Sequence, residues 1–269
     1  MTAPLEGIVV VSLEAAISAP FATRQLADLG ATVVKVERPE GDFARHYDSV
    51  VEGESAFFVW GNRGKQSVVL DVKDEADLAM LRALIAGADV FLHNLSPRAA
   101  TALGVDAPTL VALHPHLIAA EISGYGTGGP RTDDKAYDLA IQAEAGVFSV
   151  TGDGDRMGKV GFSVADICAA MYALTSILAA LVRRERTGEG AAIQVSMLDS
   201  LAEWVSAPLY NAVYGPGQAV RTGRRHHAIA PYGTFALSDG STVLIAVQSD
   251  GEWRSMAEHL LGDASLGQD

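Results

Sequence analysis

The chain has 269 residues and is 49% hydrophobic, so it can bury the core of one large domain or two small ones. Its formal net charge of −13 argues against nucleic acid as a partner, although local Lys and Arg groups could still bind small anions. The one cysteine, Cys168, excludes a disulfide framework and a cysteine-based zinc site within the chain, and it favours a cytoplasmic setting.

Strand and helix patterns alternate from the N-terminus. Residues 7–13 (GIVVVSL) predict a buried strand, 19–31 a helix that stops at Gly30, and 32–38 a second strand. Together they predict a βαβ unit of a doubly wound α/β sheet. Further strands are predicted at 67–72, 89–95, 117–126 and 191–198. Further helices are predicted at 73–88, 97–103, 107–114, 136–147, 164–186, 198–213 and 252–262.

The C-terminal part has a different pattern. Residues 221–233 are basic, contain Gly and His, and predict a loop. Residues 234–247 alternate around Asp239 and Gly240, which predicts a hairpin. We therefore place a domain boundary near 205–225.

The apolar segment 164–182 is about long enough to span a membrane. It is rich in Ala and carries Asp166, Thr175 and Ser176 in a charged, strand-rich chain. We therefore interpret it as a buried core helix and expect no membrane partner.

Two candidate sites each have a structural and a functional interpretation. Asp166 opens the long helix, where an acid can cap the helix or serve as a nucleophile held ionised by the helix N-terminus and local amides. The cluster Arg221–His227 can be a solvated basic loop or an anion site. The first βα turn lacks G-x-G-x-x-G and no Walker A sequence is present, so a dinucleotide-dependent oxidoreductase is not supported.

Several motifs, taken in order, resemble the family III CoA-transferases of the CaiB/BaiF type, which include formyl-CoA and carnitine CoA-transferases. The motifs lie at 5–45 (LEGIVVVSLEAAISAPFATRQLADLGATVVKVERPEGDFAR), 62–73 (NRGKQSVVLDVK), 88–104 (ADVFLHNLSPRAATALG), 122–130 (ISGYGTGGP), 136–146 (AYDLAIQAEAG), 166–200 (DICAAMYALTSILAALVRRERTGEGAAIQVSMLDS) and 230–240 (APYGTFALSDG).

The resemblance implies a fold and an assembly. It implies a Rossmann-like doubly wound parallel sheet at 1–205, a linker at 206–225 and the start of a second, smaller domain at 226–269. It also implies a homodimer of interlocked rings. The family's chains continue well past this one, so a truncated chain, or one completed by a second subunit, is an expectation.

The resemblance also implies a chemistry. Coenzyme A moves from an acyl-CoA to a carboxylic acid through an aspartyl mixed anhydride and an aspartyl-CoA thioester, with CoA as substrate and with no prosthetic group or metal. Asp166 matches the nucleophile. The implied CoA contacts are Arg38, Leu70, Lys73, Asn94, Leu95, Lys135 and Tyr137. In one departure from the family pattern, Ala15, Ile17 and Ser18 stand where transferases often have His or Gln.

Two other functions stay open at this point. The related α-methylacyl-CoA racemases carry a His where this chain has Tyr137, and a Tyr with a pKa near 10 is poorly matched to moving an α-proton. The chain could also be a non-catalytic or truncated CoA-binding subunit of a heteromer. The basic loop at Arg221–Arg225, together with His226, favours a dicarboxylate such as succinate as one partner in the exchange.

Overall fold

A computed structural model describes residues 2–215, 217 and 221–267. The chain divides into two compact units. Unit 1 comprises Met1–Ala145 and Gly161–Val205, and unit 2 comprises Gly146–Val160 and Ser206–Asp269. The predicted domain limits at 1–205, 206–225 and 226–269 stay predictions.

Strands and helices alternate through the described residues. The strands are β1 (Val9–Leu13), β2 (Thr32–Glu37), β3 (Gln66–Val69), β4 (Val90–His93), β5 (Ile118–Ser123), β6 (Gly152–Asp153), β7 (Arg156–Met157), β8 (Ala191–Ser196), β9 (Tyr232–Ala236) and β10 (Thr242–Ala246). The helices are α1 (Ser18–Asp28), α2 (Ala56–Asn62), α3 (Glu75–Ala86), α4 (Pro97–Leu103), α5 (Ala107–Leu113), α6 (Asp138–Glu144), α7 (Val147–Val150), α8 (Val164–Thr187), α9 (Met197–Trp204), α10 (Ser206–Tyr214) and α11 (Asp250–His259).

Unit 1 is built on a six-stranded sheet with the order β3-β2-β1-β4-β5-β8. Every neighbouring pair is parallel. The predicted α/β class and parallel sheet are therefore confirmed. Because β1 lies between β2 and β4, the winding direction reverses there, and the loops after β1 and β4 diverge at the carboxyl edge of the sheet. Such a switch point is where ligands bind in open α/β sheets.

Two layers of helices bury the sheet of unit 1. On one face, a single core joins Phe91 of β4 to Leu81 and Ile85 of α3 and to Leu110 of α5. Elsewhere in the unit, α8 contacts α1, β5, β8 and α9. Burying an aromatic or branched side chain in this way stabilises the fold by roughly 1.5–3 kcal/mol.

Helix α8 is long and apolar enough to cross a membrane by length and composition, with a mean hydropathy of 1.9 over its most apolar window. However, 56% of that window is buried inside the fold, where the helix packs on α1 and on β5. This packing indicates the core helix that the sequence predicts. Cys168 is buried on this helix, where burial raises the pKa of its thiol to about 12.

Some elements differ from the prediction. The helix predicted at 136–147 ends at Glu144, because Gly146 adopts φ 85° and a separate short helix follows. The strand predicted at 67–72 ends at Val69. The helix predicted at 198–213 forms, but it is divided at Val205 into α9 and α10. The β6–β7 pair was not predicted, whereas the predicted hairpin forms from β9 and β10.

Phe91 tests the core of unit 1, since its side chain is 0% exposed at the centre of the sheet. We expect Phe91→Ala to lower the free energy of unfolding by about 3–5 kcal/mol, because it removes buried area and leaves a cavity. Urea denaturation measures the loss. Leu113→Ala, at a site that is 65% exposed, is the control and should cost less than about 0.5 kcal/mol. Equal losses in the two variants would contradict the assigned core.

Candidate active site

Asn94 joins the two loops that diverge at the switch point. It follows β4, and Ala15 follows β1. The Ala15 N–H donates to Asn94 Oδ1 over 3.0 Å, and Asn94 Nδ2 donates to the Ala15 carbonyl over 2.8 Å. Because a backbone N–H only donates and a carbonyl only accepts, this pair fixes which way the Asn94 amide points.

The loop after β1 is held in a strained conformation. Ala16 has φ 63°, a region that is costly for a residue other than glycine. Its N–H donates to Asp42 Oδ1 over 3.1 Å, and Lys35 Nζ donates to Asp42 Oδ2 over 2.6 Å. The Lys35 and Asp42 side chains are 1% and 0% exposed. A buried ion pair therefore holds this loop in place.

A second buried lysine lies beside the first. Lys65 Nζ donates to Glu14 Oε1 over 2.7 Å, to the Pro20 carbonyl over 2.9 Å and to Asn62 Oδ1 over 3.0 Å. Asn62 Oδ1 also accepts from Lys35 Nζ over 2.8 Å. Burial lowers the pKa of Lys65 to about 8, with the Glu14 carboxylate acting in the opposite direction. Two acids and two lysines are thus linked beneath the loop.

Cavity A, of about 360 Å³, lies at the carboxyl ends of β1 and β2. Four of the predicted CoA contacts line it, namely Arg38, Lys73, Asn94 and Leu95. Acidic residues line it too, namely Glu14, Glu37, Glu40, Asp42 and Asp71.

Three of the acids in cavity A are neutralised by buried or half-buried cations. Glu14 pairs with Lys65, and Asp42 pairs with Lys35. Burial would raise the pKa of Glu37, but hydrogen bonds, first among them those from Arg45, outweigh it and hold that pKa at about 2. Arg38 and Lys73 are exposed, and neither forms an ion pair with any described residue.

Cavity B, of about 660 Å³, shares Ala15, Asn94 and Leu95 with cavity A. The other predicted site residues line it, namely Lys135, Tyr137 and Asp166. The two cavities therefore meet at the loops joined by Asn94. Together they bring seven of the eight predicted site residues to one edge of the sheet.

Leu70 is the exception. It lies in the apolar core with 7% of its surface exposed, and it lines neither cavity. Its N–H donates to the Glu37 carbonyl, which continues the pairing of β3 with β2. The structure gives the Leu70 side chain a packing role, and its predicted contact with CoA stays a prediction.

Asp166 does not cap α8. Ser163 occupies the N-cap position without a side-chain bond, and Asp138 reaches across from α6 instead. Asp138 Oδ1 accepts from the Ala165 N–H over 2.7 Å and from the Asp166 N–H over 3.4 Å. The expectation that local amides keep Asp166 ionised is therefore wrong, since the amides at this helix N-terminus bind a different acid.

The pKa of Asp166 moves accordingly. Burial raises it, and the neighbouring Asp138 carboxylate raises it further, to about 7. A hydrogen bond with the Ser18 side chain acts in the opposite direction. The carboxyl group is thus poised between its protonated and ionised forms near neutral pH, and such shifted groups are frequent at functional sites.

Sequence patterns missed three side chains of this site: Ser18, Asp42 and Asp138. Each contacts its partner across a long stretch of sequence, so local periodicity could not reveal it. The available signal for Asp138 is an acidic residue in the first turn of the helix predicted at 136–147.

In the basic segment of unit 2, the side chains of Arg221 and His226 form hydrogen bonds with backbone groups of the same unit. Arg221 Nε donates to the Gly154 carbonyl over 2.8 Å, and His226 Nδ1 accepts from the N–H groups of Ala228 and Ile229 over 3.1 Å each. These contacts favour the structural interpretation of this loop. Across the described residues, no group of three or more His, Cys, Asp or Glu side chains could hold a metal ion.

Comparison with known proteins gives a consistent result. The family model for CoA-transferase family III matches residues 5–269. The chain is 38% identical over 245 residues to acetyl-CoA:oxalate CoA-transferase of Acetobacter aceti, covering 90% of this chain and 63% of that protein. It is 36% identical over 276 residues to succinate–glutarate CoA-transferase of Agrobacterium fabrum, covering 99% and 68%. It is 35% identical over 245 residues to succinyl-CoA:glutarate CoA-transferase of Mus musculus, covering 90% and 56%.

Solved structures agree. A CAIB/BAIF family protein from Brucella suis aligns with a TM-score of 0.85 at 35% identity, covering 100% of this chain and 72% of that one. The chain spans 56–68% of the length of the curated relatives named above.

Asp138 offers a test of the electrostatics of this site. We expect Asp138→Asn to lower the pKa of Asp166, because it removes the negative charge while an amide oxygen can still accept from the Ala165 N–H. Carbon NMR titration of labelled aspartate carboxyl groups measures this, with Asp166→Asn assigning the signal. Glu144→Gln, which removes an exposed charge at the other end of α6, is the control and should leave that pKa in place. An unmoved pKa in Asp138→Asn would refute the assigned coupling.

Proposed function

Because the chain belongs to CoA-transferase family III, we propose that the protein transfers coenzyme A from an acyl-CoA to a carboxylic acid, with Asp166 as the nucleophile. The observation that carries the proposal is the placement of Asp166 on the wall of cavity B, next to cavity A with its two exposed cations.

In this proposal the CoA molecule runs from cavity A to cavity B. Arg38 and Lys73 contact its phosphates, since exposed guanidinium and ammonium groups pair readily with phosphate oxygens. The pantetheine arm passes Asn94 and Leu95, which line both cavities. The thioester then lies in cavity B, within reach of Asp166, with Lys135 and Tyr137 on the same wall.

The chemistry proceeds by acyl exchange. An ionised Asp166 oxygen attacks the thioester carbon, the carbon–sulfur bond breaks, and a mixed anhydride and the CoA thiolate form. The thiolate then attacks Cγ of Asp166, and the original acyl group leaves as a carboxylate. The resulting aspartyl-CoA thioester repeats these steps in reverse with the acceptor acid, and no net proton transfer is needed.

The pKa of about 7 for Asp166 sets the operating range of this nucleophile. Below pH 7 the ionised fraction falls tenfold for each pH unit, so the first step slows. Above pH 7 the carboxylate is ionised and poorly solvated, which strengthens it as a nucleophile. The surrounding walls must also exclude water, because both covalent intermediates hydrolyse.

We propose a dicarboxylate as acceptor or donor. The names of the relatives include oxalate, succinate and glutarate. In cavity B the exposed ammonium of Lys135 could pair with a second carboxylate. In the basic loop of unit 2, the Arg221 guanidinium donates to the carbonyls of Gly154 and Ser149, so this cation contributes less to the choice of acid than the sequence suggested.

The racemase alternative gains no support from cavity B. The described residues that line this cavity include no histidine, and Tyr137 stands where the racemases carry a histidine. The homodimer of interlocked rings, the cytoplasmic location and the absence of a prosthetic group belong to the proposal as implications of the family. Analytical ultracentrifugation tests the dimer.

Asp166→Asn tests the nucleophile. We expect no covalent adduct and at least a 1,000-fold loss of CoA exchange, because the amide cannot form the anhydride (roughly the scale for loss of a covalent nucleophile). CoA affinity should stay within about threefold. Intact mass spectrometry after mixing with succinyl-CoA reads the adduct, and calorimetry reads the affinity.

The control for this substitution is Glu185→Gln, an exposed acid on the same helix, which should keep full activity. Turnover at the normal rate in Asp166→Asn would remove Asp166 from the mechanism.

Asp166 also makes the free energy of unfolding of the protein depend on pH, which urea denaturation at several pH values measures. Because folding raises the pKa of Asp166, its contribution to stability is present below about pH 4 and is lost as the pH rises through about 7.

Lys73→Ala tests cavity A as the phosphate site. We expect KM for an acyl-CoA to rise by about five- to tenfold with kcat nearly unchanged, since one exposed charged contact contributes on the order of 1 kcal/mol. The increase should shrink at high salt. Arg186→Ala, an exposed cation at the end of α8 that lines neither cavity, is the control. Equal KM values in Lys73→Ala and the unsubstituted protein would place the phosphates elsewhere.

A further inference from the structure

His93 is a buried imidazole directly before two of the predicted CoA contacts, Asn94 and Leu95. It is the last residue of β4, and 1% of its surface is exposed. His93 itself lines neither cavity, whereas Asn94 and Leu95 line both. Because burying a polar ring is costly unless its nitrogens are used, the contacts of this ring indicate its role.

The His93 ring is held on two sides with opposite polarity. On one side, Nδ1 accepts from the Leu95 N–H over 3.3 Å. A nitrogen that accepts carries no hydrogen, so the hydrogen of the neutral imidazole lies on Nε2. On the other side, Nε2 lies 3.6 Å from Oε2 of Glu121, a buried residue of β5. This separation is longer than a hydrogen bond, and Nε2 has no hydrogen-bond partner among the described residues, so the contact is electrostatic.

Glu121 is itself fixed in place. It is the Cα partner of His93 across β4 and β5, so both side chains project from the same face of the sheet. Glu121 Oε2 accepts from the Ala107 N–H over 3.1 Å, and Oε1 accepts from Gln194 Nε2 over 2.6 Å. Burial raises the pKa of Glu121, but the contact with His93 and these two hydrogen bonds outweigh it and hold that pKa below its ordinary value. The carboxylate is therefore a fixed negative charge that keeps the Nε2 hydrogen turned toward β5.

The bond to Leu95 shapes the loop that follows β4. An asparagine or aspartate side chain that accepts from the N–H two residues later forms an Asx turn, and His93 Nδ1 makes the same connection. Leu95 packs against the core while it lines both cavities. His93 thus holds the backbone from which Asn94 and Leu95 face the proposed path of CoA.

We propose that His93 is a positioning residue for CoA: its Nδ1, oriented by Glu121, holds the Leu95 backbone in the arrangement that receives the pantetheine arm. The inference rests on the proposed function and deepens it. His93 acts through Leu95 and takes no part in the chemistry of Asp166. Once CoA is bound, its own contacts hold the loop, so the effect of His93 falls on binding and not on the chemical steps.

Two substitutions separate the acceptor from the contact with Glu121. The oxygen of an asparagine side chain is attached to Cγ, as Nδ1 is in histidine, so His93→Asn keeps an acceptor for the Leu95 N–H. A glutamine side chain branches one atom later, so His93→Gln can still donate toward Glu121 but has no acceptor at the Nδ1 position.

We expect KM for succinyl-CoA to rise about tenfold in His93→Gln, because a buried N–H without an acceptor disfavours the arrangement that binds CoA. In His93→Asn, KM should stay within about twofold of normal. Steady-state kinetics should give a kcat within about twofold of normal in both variants. The matched controls are His116→Gln and His116→Asn, at an exposed position that lines neither cavity, and both should keep the normal KM.

Hydrogen exchange gives a second readout that does not depend on turnover. NMR should show the Leu95 amide exchanging faster in His93→Gln than in His93→Asn or in the unsubstituted protein, because only His93→Gln removes its acceptor. The same exchange rate in all three proteins overturns the proposal. A KM in His93→Gln that is no higher than in His93→Asn also overturns it, since a role in packing alone would not separate the two.

Failure of the proposed function gives a different result. An unsubstituted protein that binds CoA but exchanges none refutes the transferase proposal, and calorimetry with CoA then replaces KM in the comparison of the two His93 variants. A protein that does not bind CoA at all refutes both proposals.

Discussion

The site depends on one pair of hydrogen bonds, those between the Asn94 side chain and the Ala15 backbone. In a doubly wound sheet the loops after β1 and β4 run in opposite directions, which opens a crevice between them. The sheet itself does not join the two walls of this crevice. Asn94 connects them. The Asn94 side chain lines both cavities and donates a hydrogen bond to the Ser18 hydroxyl. One residue therefore contributes both to the shape of the crevice and to the arrangement of side chains in cavity B.

The capping of α8 and the pKa of Asp166 are linked at the start of this helix. Asp138 satisfies two amides there, which stabilises the helix and ties it to α6. Its charge also raises the pKa of Asp166, as burial does. Ser18 acts against both effects through one hydrogen bond. The Asp166 pKa near neutrality results from these opposing contributions.

Sequence patterns predicted the sheet well, because its strands are short apolar runs separated by helix patterns and the parallel order follows from them. Seven of the eight residues that the family resemblance implies line the two cavities, and their roles stay predictions. Motif order could not distinguish Leu70 from the residues that line the cavities. A position in a motif does not say whether a side chain faces the core or a cavity. Nor could sequence patterns find Ser18 or Asp138, because hydrogen bonds between distant segments leave no periodic signal.

The proposed binding of CoA in cavity A requires this acidic protein to neutralise acids on the wall of that cavity. With a net charge of −13 and five acids on the wall of cavity A, repulsion of phosphate would be the default. Lys35 and Lys65 neutralise Asp42 and Glu14 from within the core, and Arg45 neutralises Glu37. Such buried pairs add little net stability, since desolvation offsets their attraction. Among the described residues, Arg38 and Lys73 are thereby left as cations without an ion-pair partner, beside the two acids that form no ion pair. The Lys35–Asp42 pair also holds the loop that follows β1.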